Sequence, residues 1–289
     1  MASFLAASWN RAMAARHIGF IGGGNMAGSL VAGLLGSSFA PSRVLVADLD
    51  QGKLARLVAE HGVAAADGEE VGANCDLIVI AVKPQSMAAA CAALRPALAG
   101  RAPLIVSVAA GVTLARIARW LGPSLPIVRC MPNTPALIGA GAAGLYANAN
   151  TSAEHRCEVE ELMNTVGLCA WCGRESDLDI VTALSGSGPA YFFLFMEAMR
   201  DAATKMGLDA ALAETLTCQT ALGAARLAQA QAEEAGGPDL AELRARVTSP
   251  GGTTEAAINR FERDGFRELV DAALAAAAGR ARELATSNG

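Results

Sequence analysis

The residues with chemistry to offer lie in glycine-rich turns. Residues 17–30 read HIGFIGGGNMAGSL, with Gly22, Gly24 and Ala27 spaced as G-x-G-x-x-A. In that spacing the first glycine permits a tight turn and the second lets backbone approach a pyrophosphate without a Cβ in the way. The small Ala27 and Gly28 let the following helix sit close on its strand. N–H groups at such a helix start, with the positive end of the dipole, seat phosphate. A second turn, residues 248–255 (TSPGGTTE), sets Gly251 and Gly252 ahead of another helix, with the hydroxyls of Ser249, Thr253 and Thr254 around them. That is a receptor for a carboxylate that needs no lysine or arginine; a plain N-capped helix is the bland alternative. A third stretch, residues 185–191 (SGSGPAY), is expected to interrupt a helical region.

What is missing narrows the chemistry. The only histidines are His17, His61 and His155, none in these turns, and no G-x-S-x-G or metal-spaced ligand set appears, so no metal is expected. A hydroxy acid dehydrogenase wants a strong base for the alcohol proton. A cyclic imine does not: its carbon is already electrophilic, and positioning with a hydrogen bond to nitrogen suffices. Cys169 and Cys172 form a single C-x-x-C with neither a second pair nor a nearby histidine, and read as two ordinary thiols flanking a strand.

The elements that must position these turns follow from apolar patterning. Residues 18–21 are a short strand before the glycines, and residues 43–48 (RVLVAD) a second, ending in Asp48 where a carboxylate meets the adenosine ribose. A helix over 51–60, strands over 75–82, 103–108 and 126–131, and a helix over 113–121 continue the alternation. These are near-continuous apolar runs, as buried parallel strands are. The expected fold is an α/β doubly wound parallel sheet, and ligands then lie beyond the strand carboxyl ends. That rule collects the 22–27 turn, Asp48, residues 81–84, residues 109–111 and residues 131–135, including Asn133, along one edge. After a helix over 152–166 and a strand near 168–172, the chain from Ser176 on is helical. Leu208, Leu212 and Leu216, and again Phe266, Leu269, Val270, Ala273, Leu274 and Ala277, form stripes at helix spacing. Alanine-rich helices bury little area each, so a second copy of the chain is the expected partner.

At 289 residues, 53% hydrophobic and 18% charged, the chain has the composition of a globular fold. A net charge of −5 with scattered basic residues gives no footprint for nucleic acid or a membrane surface. The longest apolar run, residues 190–199, is broken by Glu197, so no membrane span is expected and the chain reads as soluble and, with reduced thiols, cytoplasmic. Residues 1–16 carry Arg11 and Arg16 and no acid; an inert extension or an upstream start fits them better than an organelle leader. The domains are drawn as this extension, a dinucleotide-binding domain over 17–174 and a helical dimerisation and substrate domain over 175–289.

Taken together, GFIGGGNMAGS, AVKPQ, SVAAGVTL, RCMPNTPAL, ALSGSGPAYFF and VTSPGGTTEAAI resemble the Δ1-pyrroline-5-carboxylate reductases, which make proline. The resemblance runs from about residue 17 to residue 284. It implies NADPH or NADH as cofactor, held by Ile21, Gly22, Gly23, Gly24, Asn25, Met26 and Ala27, with Ala81, Val82, Lys83, Pro84, Ala109, Ala110, Gly111 and Asn133 along the rest. It places the substrate carboxylate on Ser249, Gly251, Gly252 and Thr253, the Thr254 hydroxyl facing the imine nitrogen, and Glu175 near the substrate. It also implies a Rossmann domain and a helical domain interleaved in a dimer, often assembled into a decamer. Two departures stand out. Relatives often read Ser-Asn-Arg where this chain has Ala47, Asp48 and Leu49, and a carboxylate there repels a 2′-phosphate and suits a ribose diol, which points to a weaker bias to NADPH than in the relatives or to a preference for NADH. Gly68 stands where relatives often have an adenosine-contacting Asn. A reductase of a six-membered imino acid, and a dinucleotide sensor without catalysis, are the alternative functions.

Overall fold

The computed structural model describes residues 13, 15–235 and 239–287. Most of the 1–16 extension lies outside the described residues. Of its end, Met13 is buried in the sheet core and the Arg16 guanidinium donates to the Glu158 carboxylate at 2.9 and 2.5 Å.

Strands β1 (Ile18–Ile21), β2 (Val44–Ala47), β3 (Ala64–Ala65), β4 (Leu77–Ile80), β5 (Leu104–Ser107), β6 (Ile127–Met131), β7 (Gly141–Ala147) and β8 (Gly167–Trp171) form one sheet. Its order is β3-β2-β1-β4-β5-β6-β7-β8. The first six are parallel, with Ile18 registered against Val44 on one side and Leu77 on the other. Helices α1 (Asn25–Gly36), α2 (Gln51–His61), α3 (Gly68–Asn74), α4 (Met87–Leu94), α5 (Leu114–Leu121), α6 (Ala153–Asn164) and α7 (Asp177–Val181) connect the strands or follow them. Side chains alternate across the pleat, so each apolar strand feeds two cores. Ile18, Phe20, Leu77 and Val79 pack with α1 and α6 on one face, whereas Ile21, Ile78 and Ile80 pack with α3, α4 and α5 on the other.

The sheet is not wholly parallel, which corrects the expectation in one respect. β7 runs antiparallel to β6, and β8 is parallel to β7. β7 reads GAAGLYA, and its glycines and alanines give none of the β-branched signal that marks β4 or β5.

The remaining helices are α8 (Gly188–Lys205), α9 (Ala210–Ala235), α10 (Leu240–Arg246), α11 (Thr253–Arg263) and α12 (Phe266–Ser287). Gly188–Ala275 forms one compact unit and the rest of the described chain the other, so residues 175–187 group with the sheet. The SGSGPAY stretch does not break the helix. Residues Thr182–Gly186 form a π-helical turn, closed by the Ser187 N–H donating to the Thr182 carbonyl at 2.8 Å, and α8 follows at once. Pro189 falls in the first turn of α8, where its missing N–H costs nothing. Asp177–Lys205 is therefore one helical stretch of 29 residues, long and apolar enough by length and composition to cross a membrane, contrary to the expectation from the apolar runs.

The helical unit has no large-residue core of its own. Among its described residues only Gly188, Ala213 and Thr217 are buried, while Phe192, Phe193, Leu194, Leu212, Leu216 and Leu269 are exposed. Phe195, Phe261 and Phe266 form a tilted aromatic trio within it, with ring centroids 5.5 to 6.4 Å apart.

Candidate active site

At the carboxyl end of β1 the chain turns through Gly22 at φ +101°, where a Cβ would lie 2.7 Å from the Ala81 carbonyl oxygen. No other residue fits that turn against β4. The Gly22 N–H donates to the Ala47 carbonyl at 2.7 Å and the Ala81 N–H to the Ile21 carbonyl at 2.8 Å, so the ends of β1, β2 and β4 stay paired where their loops diverge. The Gly23 N–H donates to Asp48 Oδ2 at 2.6 Å, and Asp48 Oδ1 accepts from the Asp50 N–H at 2.7 Å. Gly24 is the N-cap of α1 and carries no side-chain cap; a Cβ on it would meet only open space. Asn25 and Met26 open the helix, and Ala27 is fully buried against the sheet. An uncapped helix start with room for a ligand against its backbone fits a pyrophosphate.

The other loops fall where the sheet rule puts them. Val82 packs beside the Gly22 turn, exposed Lys83 precedes the 3₁₀ turn Pro84–Ser86, and Ala109, Ala110 and Gly111 (φ +71°) follow β5. Leu49 is fully exposed beside Asp48. Gly68 opens α3 with open space where a side chain would stand.

Two expected site residues are fastened to the protein. Asn133 donates from Nδ2 to the Ser185 carbonyl at 2.9 Å and accepts at Oδ1 from the Ala142 N–H at 2.9 Å. It thereby ties the end of β6 to the π-turn and to β7. Glu175 Oε1 accepts from the Leu114 N–H at 2.7 Å, at the start of α5, and from Arg129 Nη1 at 2.8 Å. Arg129 is a buried cation on β6, its side chain only 8% exposed, so this carboxylate neutralises it. Sequence reasoning passed over Arg129, because a basic residue within a strand carries no sign of its partner.

In the helical unit, the second turn is built differently. The Gly252 N–H donates to the Ser249 carbonyl at 3.0 Å across Pro250 and Gly251, and Gly251 has φ +71°, the arrangement of a type II turn. A Cβ on Gly252 would stand 2.6 Å from Ser249 Oγ and 3.0 Å from the Ser249 carbonyl oxygen, so a larger residue here would push the serine hydroxyl aside. Thr248 spends its hydroxyl on the Arg244 carbonyl at 2.6 Å. Gly252 is the N-cap of α11 with no side-chain cap, so no N-cap side chain seals the N–H groups of Thr253 and Thr254. The Thr254 hydroxyl makes no hydrogen bond among the described residues. Gly251 N–H donates to Glu255 Oε2 at 2.7 Å. Glu255 escaped the sequence reading, although the third helical position is where an acid reaches back in a capping box.

Five other helix starts differ from these two. Asp50, Asp67, Thr113, Ser152 and Asp239 each cap their helix with their own side chains, whereas Ser86 at α4 and Ser176 at α7 make no side-chain cap. An N-cap serine, threonine or aspartate would consume the donors that an anionic ligand needs. At α1 and α11 a glycine leaves them available.

Fold and site define a nicotinamide-dinucleotide oxidoreductase with a separate helical unit. A family model described as NADP oxidoreductase, coenzyme F420-dependent, matches residues 17–111, and one described as pyrroline-5-carboxylate reductase dimerisation matches residues 175–284. The pyrroline-5-carboxylate reductase of Pseudomonas aeruginosa is 48% identical over 278 residues, covering 96% of this chain and 100% of that one. The structure of a pyrroline-5-carboxylate reductase from Coxiella burnetii superposes with a TM-score of 0.88 at 44% identity, over 93% of this chain and 98% of that one. A pyrroline carboxylate reductase of Plasmodium falciparum with NADP bound gives 0.79 at 28% identity, over 94% and 98%. The chain belongs to the pyrroline-5-carboxylate reductase family.

Proposed function

We propose that this protein reduces L-Δ1-pyrroline-5-carboxylate to L-proline with NADH or NADPH, the last step of proline biosynthesis. The observation that carries the reading is the pair of helices that begin on uncapped glycines, one in the dinucleotide turn and one in the TSPGGTT turn. When bound, the dinucleotide supplies hydride from nicotinamide C4. The residues from Ile21 to Ala27 hold its pyrophosphate, with Asp48 at the ribose, Ala81 to Pro84 and Ala109 to Gly111 along its length, and Asn133 beyond.

The substrate carboxylate is taken by the Ser249 hydroxyl and the N–H groups of Thr253 and Thr254, in the turn shaped by Gly251 and Gly252. The Thr254 hydroxyl donates a hydrogen bond to the imine nitrogen and draws electron density from the carbon that accepts hydride. Glu175 lies near the substrate by family correspondence, and through Leu114 and Arg129 it fixes the start of α5 just beyond the 109–111 loop.

Self-association follows from the helical unit. Exposed Phe192, Phe193, Leu194 and Leu269 on a unit with almost no buried side chains call for a second copy, which supports a homodimer through the 175–289 domain; further assembly to a decamer is carried over only from the family resemblance. The same reading gives a cytoplasmic protein with neither nucleic acid nor membrane as partner, and a dinucleotide domain over 17–174 after the 1–16 extension.

The test is oxidation of NADH and of NADPH, in separate cuvettes, on adding pyrroline-5-carboxylate at neutral pH. Turnover supports the assignment, and a higher kcat/KM with NADH supports the role given to Asp48. No turnover with either cofactor turns attention to piperideine carboxylates and then to a sensor without catalysis.

A further inference from the structure

We propose that Glu255 is a positioning residue that locks the substrate turn in its carboxylate-receiving form. This rests on the reading of residues 249–254 as the carboxylate receptor. In both ligand turns a carboxylate of the chain itself holds the N–H of the residue just before the glycine N-cap: Asp48 on Gly23 at 2.6 Å and Glu255 on Gly251 at 2.7 Å. In each case the following amides, at the helix start, stay uncapped.

The Gly251 N–H belongs to the central peptide of the Ser249–Gly252 turn, between Pro250 and Gly251. Type I and type II turns differ mainly by a flip of that peptide. A flip would swing the N–H away from Glu255 and turn the Pro250 carbonyl oxygen toward the side where the Glu255 carboxylate now stands. A carbonyl dipole there would oppose an anion at the start of α11. A charge-assisted hydrogen bond at 2.7 Å holds the peptide against that flip.

The test compares Glu255→Ala with Glu255→Gln in the intact enzyme. Alanine removes the acceptor and is expected to raise the KM for pyrroline-5-carboxylate about fivefold, with kcat and the dinucleotide KM within about twofold, as the loss of one hydrogen bond implies. Glutamine keeps a carbonyl acceptor and restores the imine KM to within about twofold of the parent. Amide hydrogen exchange in the peptide spanning 248–256 rises for alanine and not for glutamine. An unchanged imine KM in the alanine variant overturns the proposal, whatever the exchange does. Equal KM changes in both variants overturn it as well, because they assign the effect to charge. Absence of turnover in the parent enzyme defeats the functional reading instead, and the exchange comparison still decides whether Glu255 holds the turn.

Discussion

The two glycine turns are alike in their ends and unlike in what fixes them. In the dinucleotide turn the restraint comes from elsewhere in the fold: Asp48 at the end of β2 reaches Gly23 from 25 residues away, and β1, β2 and β4 share hydrogen bonds at the same edge. In the TSPGGTT turn the restraint is local, from Glu255 four residues on, within a unit that buries no described side chain larger than threonine. A cofactor site held by a sheet is complete when the sheet is complete. A turn held only by its own helix is as well ordered as that helix, and under the proposed self-association the exposed apolar faces of the helical unit would tie its order to a partner copy.

The largest effect separates the two turns by function. Thr254→Ala leaves the backbone amides of α11 in place and removes the hydroxyl together with the γ-methyl, so kcat is expected to fall about 100-fold, as for other lost proton-handling groups, with the dinucleotide KM unchanged. Steady-state kinetics with each substrate varied in turn reads this directly. An unchanged kcat would take Thr254 out of the chemistry and leave the turn as a binding element alone.

Next in size is a break on the sheet side. Glu175→Ala leaves Arg129 buried without its counterion and the first N–H of α5 without its acceptor. Loss of one partner of such a pair costs about 3 kcal/mol. Thermal unfolding should shift down by several degrees, and the dinucleotide KM should rise through the neighbouring 109–111 loop. A rise in the imine KM alone, at unchanged stability, would instead place Glu175 against the substrate.

The sheet half was legible in the sequence for the reason that makes it stable: buried parallel strands are continuous apolar runs, and Leu77–Ile80 announces both of its faces. Gly22 was legible because sterics leave that turn to glycine. What escaped detection depends on partners distant in sequence or on backbone held by unusual means. β7 is glycine and alanine and gains its strand geometry from β6 and β8. The SGSGPAY stretch carries helix-breaking residues yet stays helical, because the π-turn absorbs them and Asn133 takes up the Ser185 carbonyl. Asn133 reads as a ligand residue in MPNTP, and nothing in that motif shows that both ends of its amide are already engaged.

A smaller effect tests whether the sheet-side carboxylate also chooses the cofactor. Asp48 uses one oxygen on Gly23 and the other on Asp50, and exposed Leu49 offers nothing to a phosphate. Replacing Asp48 by Asn together with Leu49 by Arg removes the repulsion and adds a phosphate donor. The ratio of kcat/KM for NADPH over NADH is expected to rise about tenfold, the scale of one charge-assisted contact. No change in the ratio would leave Asp48 as a brace for the turn and hand cofactor choice to another residue.

A last effect concerns stability at alkaline pH, and it also falls on the sheet side. Burial pushes the thiols of Cys75 and Cys91 up from 9.0 to about 12, with the neighbouring Asp76 adding to the effect at Cys75, whereas the helical unit has only the exposed Cys218. Between these values the folded state keeps protons that the unfolded chain releases. The stability they contribute is therefore fully present below about pH 9 and is lost as pH rises toward about 12. The Tm is expected to decline across that window, and a Cys75→Ala, Cys91→Ala double variant to decline less steeply from a lower starting value. A variant that matched the parent's slope would move the alkaline weakness out of the sheet core, and the contrast between a buried sheet core and a largely exposed helical unit would lose its pH signature.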